Sequence, residues 1–175
     1  MTLLSFERGE GATTDAVQYR EEFDRLARDT CLLGRNDDPI IRQRLAKLYT
    51  EVEIMRWLGM RVVQQLLDGG QIGPEGSLHK LVWSGFQQRC AELAVDIVGA
   101  DAMAPSGRDS VSSIAVDDPG APYSSKSWVT VLMASRSCTI RGGTTEIQHN
   151  IIGEKVLGLP REPRADTGPW SKTLR

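Results

Sequence analysis

The feature that most constrains this chain is one apolar stripe in its first half. Ile41, Leu45, Leu48, Val52, Met55, Gly59, Val62 and Leu66 are separated by alternating steps of four and three residues. That spacing puts them on one side of a long helix and leaves the side in need of other helices to cover it. The ends are marked as well. Asp38-Pro39 offers an N-cap acid followed by a proline at the first helical position, where its fixed φ and missing N–H do no harm. Gly69-Gly70 stops the run,.

The helical period continues on both sides. Ala16, Tyr19, Phe23, Leu26 and Leu33 mark one face of a helix from Ala16 to Leu33, set among Arg, Glu and Asp, and Gly34 to Asp38 breaks it,. After Gly73-Pro74, a third helix carries Leu78, Val82, Phe86, Cys90, Leu93 and Ile97 on one face, with Gly99 as its terminator,. Three long antiparallel helices with short connections predict an all-α, up-and-down four-helix bundle over residues 1–162. Within it, residues 101–127 turn to Ala, Pro, Ser, Gly and Asp, and Asp117-Asp118-Pro119-Gly120 reads as a turn cluster in an exposed loop,. A shorter helix, Trp128 to Arg136, leads to the last helical stretch, which is expected to complete the bundle. Residues 163–175, with Pro169-Trp170, read as a flexible tail,.

Composition narrows the function. With 175 residues, 40% of them hydrophobic, the chain can bury one core,. A net charge of −2 gives no ground for a nucleic-acid or anionic-membrane partner,. No apolar run approaches the ~20 residues of a membrane span, and Met1 to Arg8 is too short and too soon charged for a secretory leader,. Cys31, Cys90 and Cys138 are odd in number and far apart, so neither a disulfide framework nor a zinc site is expected,. The chain reads as soluble and cytoplasmic. His79 and His149 lack acidic or thiol companions at ligand spacing and read as surface or hydrogen-bonded structural residues, with no metal expected,. Trp57, Trp83 and Trp128 read as core or interface residues,.

The chemistry concentrates between Arg136 and Glu162. Gly142-Gly143 permits backbone angles and close approaches that a Cβ would block,. Thr145 stands where an N-cap should, and Gln148 three residues on completes a capping-box pattern,. Ile147 and Ile151 share a face of the helix that follows, which Gly158 and Pro160 end,. A glycine turn feeding a helix N-terminus gathers N–H groups, a seat for a phosphate or a polar cofactor edge.

The run Thr139-Ile-Arg-Gly-Gly-Thr-Thr-Glu-Ile-Gln-His-Asn-Ile-Ile-Gly-Glu-Lys-Val-Leu-Gly-Leu-Pro160 closely resembles the C-terminal signature of the flavin-dependent acyl-CoA dehydrogenases. The likeness extends from about Leu4 onward and is closest to actinobacterial members. It implies the helical C-terminal bundle of such an enzyme, with FAD as cofactor and an acyl-CoA thioester as substrate, oxidised between its α and β carbons to the trans-2-enoyl-CoA. By the same resemblance Gly142, Gly143, Thr144 and Glu146 bind the cofactor. Many relatives place the catalytic glutamate immediately before the Gly-Thr of the signature, where this chain has Gly142. A second branch takes it from a Glu-Arg pair at the start of the first helix of this domain, which makes Glu7, in Ser5-Phe6-Glu7-Arg8-Gly9, the candidate base, with Glu10 an inferior alternative.

Two family elements differ here. An Arg-x-x-x-Phe-Gly element that meets a neighbouring subunit's flavin would fall at Thr30 to Gly34, which reads Thr-Cys-Leu-Leu-Gly, with Arg28 and Arg35 as substitutes; a Gly-Gly-x-Gly-Tyr element has become Val98 to Met103. Family members of ordinary length also carry an N-terminal helical domain and a central β-domain, which supply most contacts to flavin and acyl chain. This chain alone is therefore not expected to turn over substrate. It is expected to work as a homo-oligomer or as a hetero-oligomer with another acyl-CoA dehydrogenase subunit. The alternative is a catalytically silent helical module of a dehydrogenase complex.

Overall fold

The computed structural model describes residues 3–70, 73–74, 76–105 and 125–161, with backbone alone for 3–15 and 125–126. The stripe forms a helix, α2 (Pro39–Leu67), and buries Ile41, Leu48, Val52, Met55, Gly59 and Val62. Leu45 is half-buried and Leu66 exposed. Asp38 caps the helix as expected: its Oδ1 accepts from the N–H groups of Ile40 at 2.9 Å and Ile41 at 3.3 Å, satisfying donors that the first turn leaves without partners.

Before it lies α1 (Leu3–Leu32) and after it α3 (Gly76–Val98), followed by a 3₁₀ turn at Gly99–Ala102. α1 begins well before Ala16, in a stretch with too few apolar residues to show a period. Cross-helix pairs fix the topology. Arg20 reaches Glu53 at 3.3 Å while Phe23 meets Tyr49, and Arg89 reaches Glu51 at 3.0 Å while Arg44 reaches Asp96, so α1 and α3 both run antiparallel to α2. The Tyr19 ring stacks on Trp83 with centroids 6.2 Å apart, and Gln87 donates to Glu22 at 2.6 Å, so α1 and α3 run parallel.

The fourth helix is α4 (Ser125–Ser135), not the signature helix. Trp128 and Val131 are buried, and α4 is sewn to α1 by two buried bonds: Trp128 Nε1 to Asp29 at 2.8 Å and Arg25 to Ser127 Oγ at 3.0 Å. The signature helix α5 (Thr145–Ile151) runs into a π-helical turn, Ile152–Val156, and packs on the outside of α3. It buries only Gln148, too little to close a core. No strand occurs among the described residues. The expected loop at 101–127 and tail at 163–175 fall mostly outside those residues; α4 begins within the former.

The core is less apolar than the sequence suggests. Beside Tyr19 and Leu26, α1 buries Glu22, Arg25, Asp29 and Thr30, polar or charged positions that the helical pattern assigns to solvent. His79 is also buried, at 3% exposure, with Nε2 lacking a hydrogen-bond partner. It is thus neither a surface nor a hydrogen-bonded residue, and burial pulls its pKa down to about 4,. Trp128 is core, Trp83 is half-buried, and Trp57 is exposed beneath the Arg56 guanidinium.

Candidate functional site: the glycine turn on α3

The segment from α4 to α5 is held along its length by side chains of α3. Arg136 pairs with Glu92 at 2.8 Å. Gln88 Nε2 donates to the Ser135 carbonyl at 3.4 Å and to Thr139 Oγ1 at 3.3 Å. Lys80 Nζ donates to the Cys138 carbonyl. Successive turns carry the chain through Ser137 and Ile140, and the Thr145 N–H closes the loop on the Thr139 carbonyl at 3.2 Å. The reversal between falls on Gly142 and Gly143, at φ +68° and +101°, angles a side chain makes costly.

Gln148, with no exposed surface, lies under this turn. Its Nε2 donates to the Gly142 carbonyl at 3.0 Å and the Gly143 carbonyl at 3.3 Å. A carbonyl and the N–H that follows it lie on opposite edges of a trans peptide plane. Holding both carbonyls inward therefore turns the N–H groups of Gly143 and Thr144 outward, on a turn where Gly142 is exposed and Gly143 and Thr144 are half-buried. Two adjacent backbone donors on an open glycine turn fit the polar oxygens of a flavin cofactor.

The helix start differs from the sequence expectation in two ways. The N-cap is Thr144 rather than Thr145, because the glycine pair leaves Thr144 in the extended conformation, φ −64° and ψ 163°; its Oγ1 accepts from the Ile147 N–H at 3.4 Å. Gln148 forms no capping box; its amide is committed to the glycine carbonyls. Glu146 is exposed, and its carboxyl is held below the usual carboxylate range by its own backbone N–H and by the Thr144 hydroxyl,. The first turn of α5 is thus largely satisfied by the chain's own oxygens, and the outward donors lie in the turn before it.

Gly142, Gly143, Thr144 and Glu146 are therefore gathered at one exposed corner. The side chain of Glu7 lies outside the described residues, although the backbone there is helical and α1 begins at the end of the bundle where α3 also begins. Of the flavin elements expected at the end of α1, Thr30 Oγ1 turns back to the Leu26 carbonyl at 2.7 Å, and Arg35 lies 3.7 Å from Asp38. Two residues at the turn were not singled out from the sequence, Lys80 buried beneath it and Arg141 exposed within it. Lys80 Nζ lies 4.8 Å from the centroid of the Trp83 ring, and Arg141 lies 5.6 Å from it,. The signal available for Lys80 was the i, i+4 row Lys80, Ser84 and Gln88 along α3,.

An all-α architecture with a glycine turn tied down beside α3 defines the class: a helical bundle domain. Residues 1–157 match the family "Acyl-CoA dehydrogenase, C-terminal domain", and the chain belongs to that family. It is 32% identical over 167 residues to acyl-CoA dehydrogenase IpdE1 of Mycobacterium tuberculosis, covering 94% of this chain and 38% of the relative. The same enzyme of Mycolicibacterium smegmatis is 32% identical over 162 residues, covering 93% and 36%. The chain thus spans under two fifths of the length of these relatives. Among solved structures, the Tcur3481-Tcur3483 steroid ACAD shares the fold, with TM-score 0.71 and 20% identity over 93% of this chain and 39% of that one.

Proposed function

We propose that this chain is the C-terminal bundle of an FAD-dependent acyl-CoA dehydrogenase and forms one wall of an active site completed by other domains. The observation that carries the reading is the glycine turn, whose carbonyls are held inward and whose Gly143 and Thr144 amides face out. In this reading Gly142 and Gly143 let the backbone approach the cofactor, Thr144 and Glu146 flank it, and FAD supplies the hydride acceptor when bound. Glu7 takes the proton from the carbon next to the thioester carbonyl, a step that a carboxylate performs best in a dry pocket that lifts its pKa toward neutrality. The functional unit is the helical module of residues 1–162, with 163–175 as a tail.

The substrate class is a steroid-derived acyl-CoA, supported by the solved neighbour described as a steroid ACAD. The paired name of that neighbour supports a hetero-oligomer in which a second dehydrogenase subunit shares the active site. Free thiols at Cys31, Cys90 and Cys138 fit a reducing, cytoplasmic setting,, and no described helix is long and apolar enough to cross a membrane. A second reading, a catalytically silent assembly module, is favoured by Gly142 standing where many relatives carry the base.

One experiment separates the two. The chain is purified alone and with a co-expressed full-length dehydrogenase subunit, and flavin absorbance is followed as acyl-CoA is added. Bleaching in the complex that is lost in Glu7→Gln, with flavin still bound, supports the enzyme reading. Unchanged bleaching in Glu7→Gln assigns the base to the other subunit and leaves this chain as the assembly module.

A further inference from the structure

Two buried polar side chains meet at the signature turn from different helices. Lys80, 5% exposed, enters from α3, and Gln148, fully buried, from α5. Residues of these types stay in water unless polar partners hold them inside. The Lys80 ammonium donates to the Cys138 carbonyl and lies over Trp83; its stem runs so close to the turn that a Cβ on Gly142 would sit 3.7 Å from Lys80 Cε. Gln148 Nε2 spans the carbonyls of Gly142 and Gly143. Three carbonyls of one short turn are thus held from the inside.

We infer that Lys80 and Gln148 are positioning residues: they hold the Cys138, Gly142 and Gly143 carbonyls inward and so keep the Gly143 and Thr144 amides presented as a fixed pair of donors. Neither side chain meets a ligand; both act through the backbone. That the ligand is the polar edge of FAD rests on the proposed function, whereas the tether does not. Preorganised donors bind better than donors that must first be ordered, so slackening the tether weakens the ligand without removing any group that touches it.

The test uses the full chain. Gln148→Met keeps the length and removes the donor, Lys80→Met keeps the stem and removes the charge, and Lys80→Arg restores a buried cationic donor. Amide hydrogen exchange is expected to quicken about tenfold across residues 138–151 in both methionine variants, the scale of one lost hydrogen bond. Exchange in α1 and α2 stays at the wild-type rate, and Lys80→Arg recovers most of the protection. The second readout is FAD titrated into the chain with its co-expressed dehydrogenase subunit, where Gln148→Met binds about tenfold more weakly and shifts the visible flavin band.

Unchanged exchange at 138–151, or an equal rise in every helix, overturns the inference. If Gln148→Met fails to fold, Gln148→Asn, which keeps the amide one methylene short, carries the same test beside Lys80→Met. Local quickening with wild-type affinity for FAD, or no FAD uptake by the wild-type complex, leaves the tether established and overturns the flavin reading instead.

Discussion

Glu22 shows how far one side chain can set the behaviour of this bundle. It has no exposed surface, Oε1 has no hydrogen-bond partner, and Oε2 accepts from Gln87 at 2.6 Å. Burial outweighs the nearby Arg25 charge and the Gln87 bond, and raises its pKa from 4.5 to about 8,. The folded chain therefore holds a proton there that the unfolded chain releases above pH 4.5, so this stabilisation is complete below that pH and lost as pH rises through 8,. His79 works in the opposite direction: its pKa falls from 6.5 to about 4, and its stabilisation is lost as pH falls through that window,. The two slopes oppose each other between 4.5 and 6.5, and above 6.5 Glu22 acts alone. Stability is expected to drop by about 2 kcal/mol between pH 6.5 and 8, and the melting temperature by roughly 4–8 °C. Glu22→Gln flattens that limb; a Glu22→Gln melting profile as steep as wild type would show that the carboxyl is already ionised in the folded chain.

At the scale of elements, legibility followed how much of the energy was local. α2 was readable from Asp38 to Gly69 because cap, proline, stripe and terminator all lie within the segment. Asp38→Ala should cost about 1 kcal/mol and lower the melting temperature by roughly 2–4 °C, with little change if the capping bonds are idle. The inner face of α1 was not readable in the same way. Glu22, Arg25 and Asp29 are solvent residues by type, and they are buried because α3 and α4 bring Gln87, Ser127 and Trp128 to meet them, partners 65, 102 and 99 residues away. Trp128→Phe removes the indole donor to Asp29 together with the five-membered half of a fully buried ring, and should destabilise the chain by at least about 2 kcal/mol in a denaturant titration. An unchanged midpoint would mean that another group takes over that donor. The turn at Gly142-Gly143 was legible from its glycines, whereas the shift of the cap to Thr144 and the use of Gln148 were not. Both depend on positive φ angles and on a buried amide whose acceptors precede it in the chain.

At the scale of the whole molecule, one flank of α2 stays exposed among the described residues. Trp57, Met60, Val63 and Leu67 recur every three or four residues, and Trp57 and Leu67 are 58% and 77% exposed. The same helix buries the neighbouring stripe completely between Leu48 and Met55, so the exposed residues form a flank beside the chain's own core. Under the proposed function, a contiguous apolar flank of this kind is the expected contact for a second dehydrogenase subunit. Because Trp57 and Met60 are more than half exposed, a charge placed there should spare folding and spoil association. Trp57→Glu with Met60→Glu is expected to leave the melting temperature of the isolated chain within about 2 °C of wild type and to weaken association with the co-expressed dehydrogenase subunit at least tenfold in sedimentation or pull-down titrations, since two apolar contacts and an intruding charge are lost together. An intact complex in the double variant would move the contact to another face, and a lowered melting temperature would show that this flank packs within the chain.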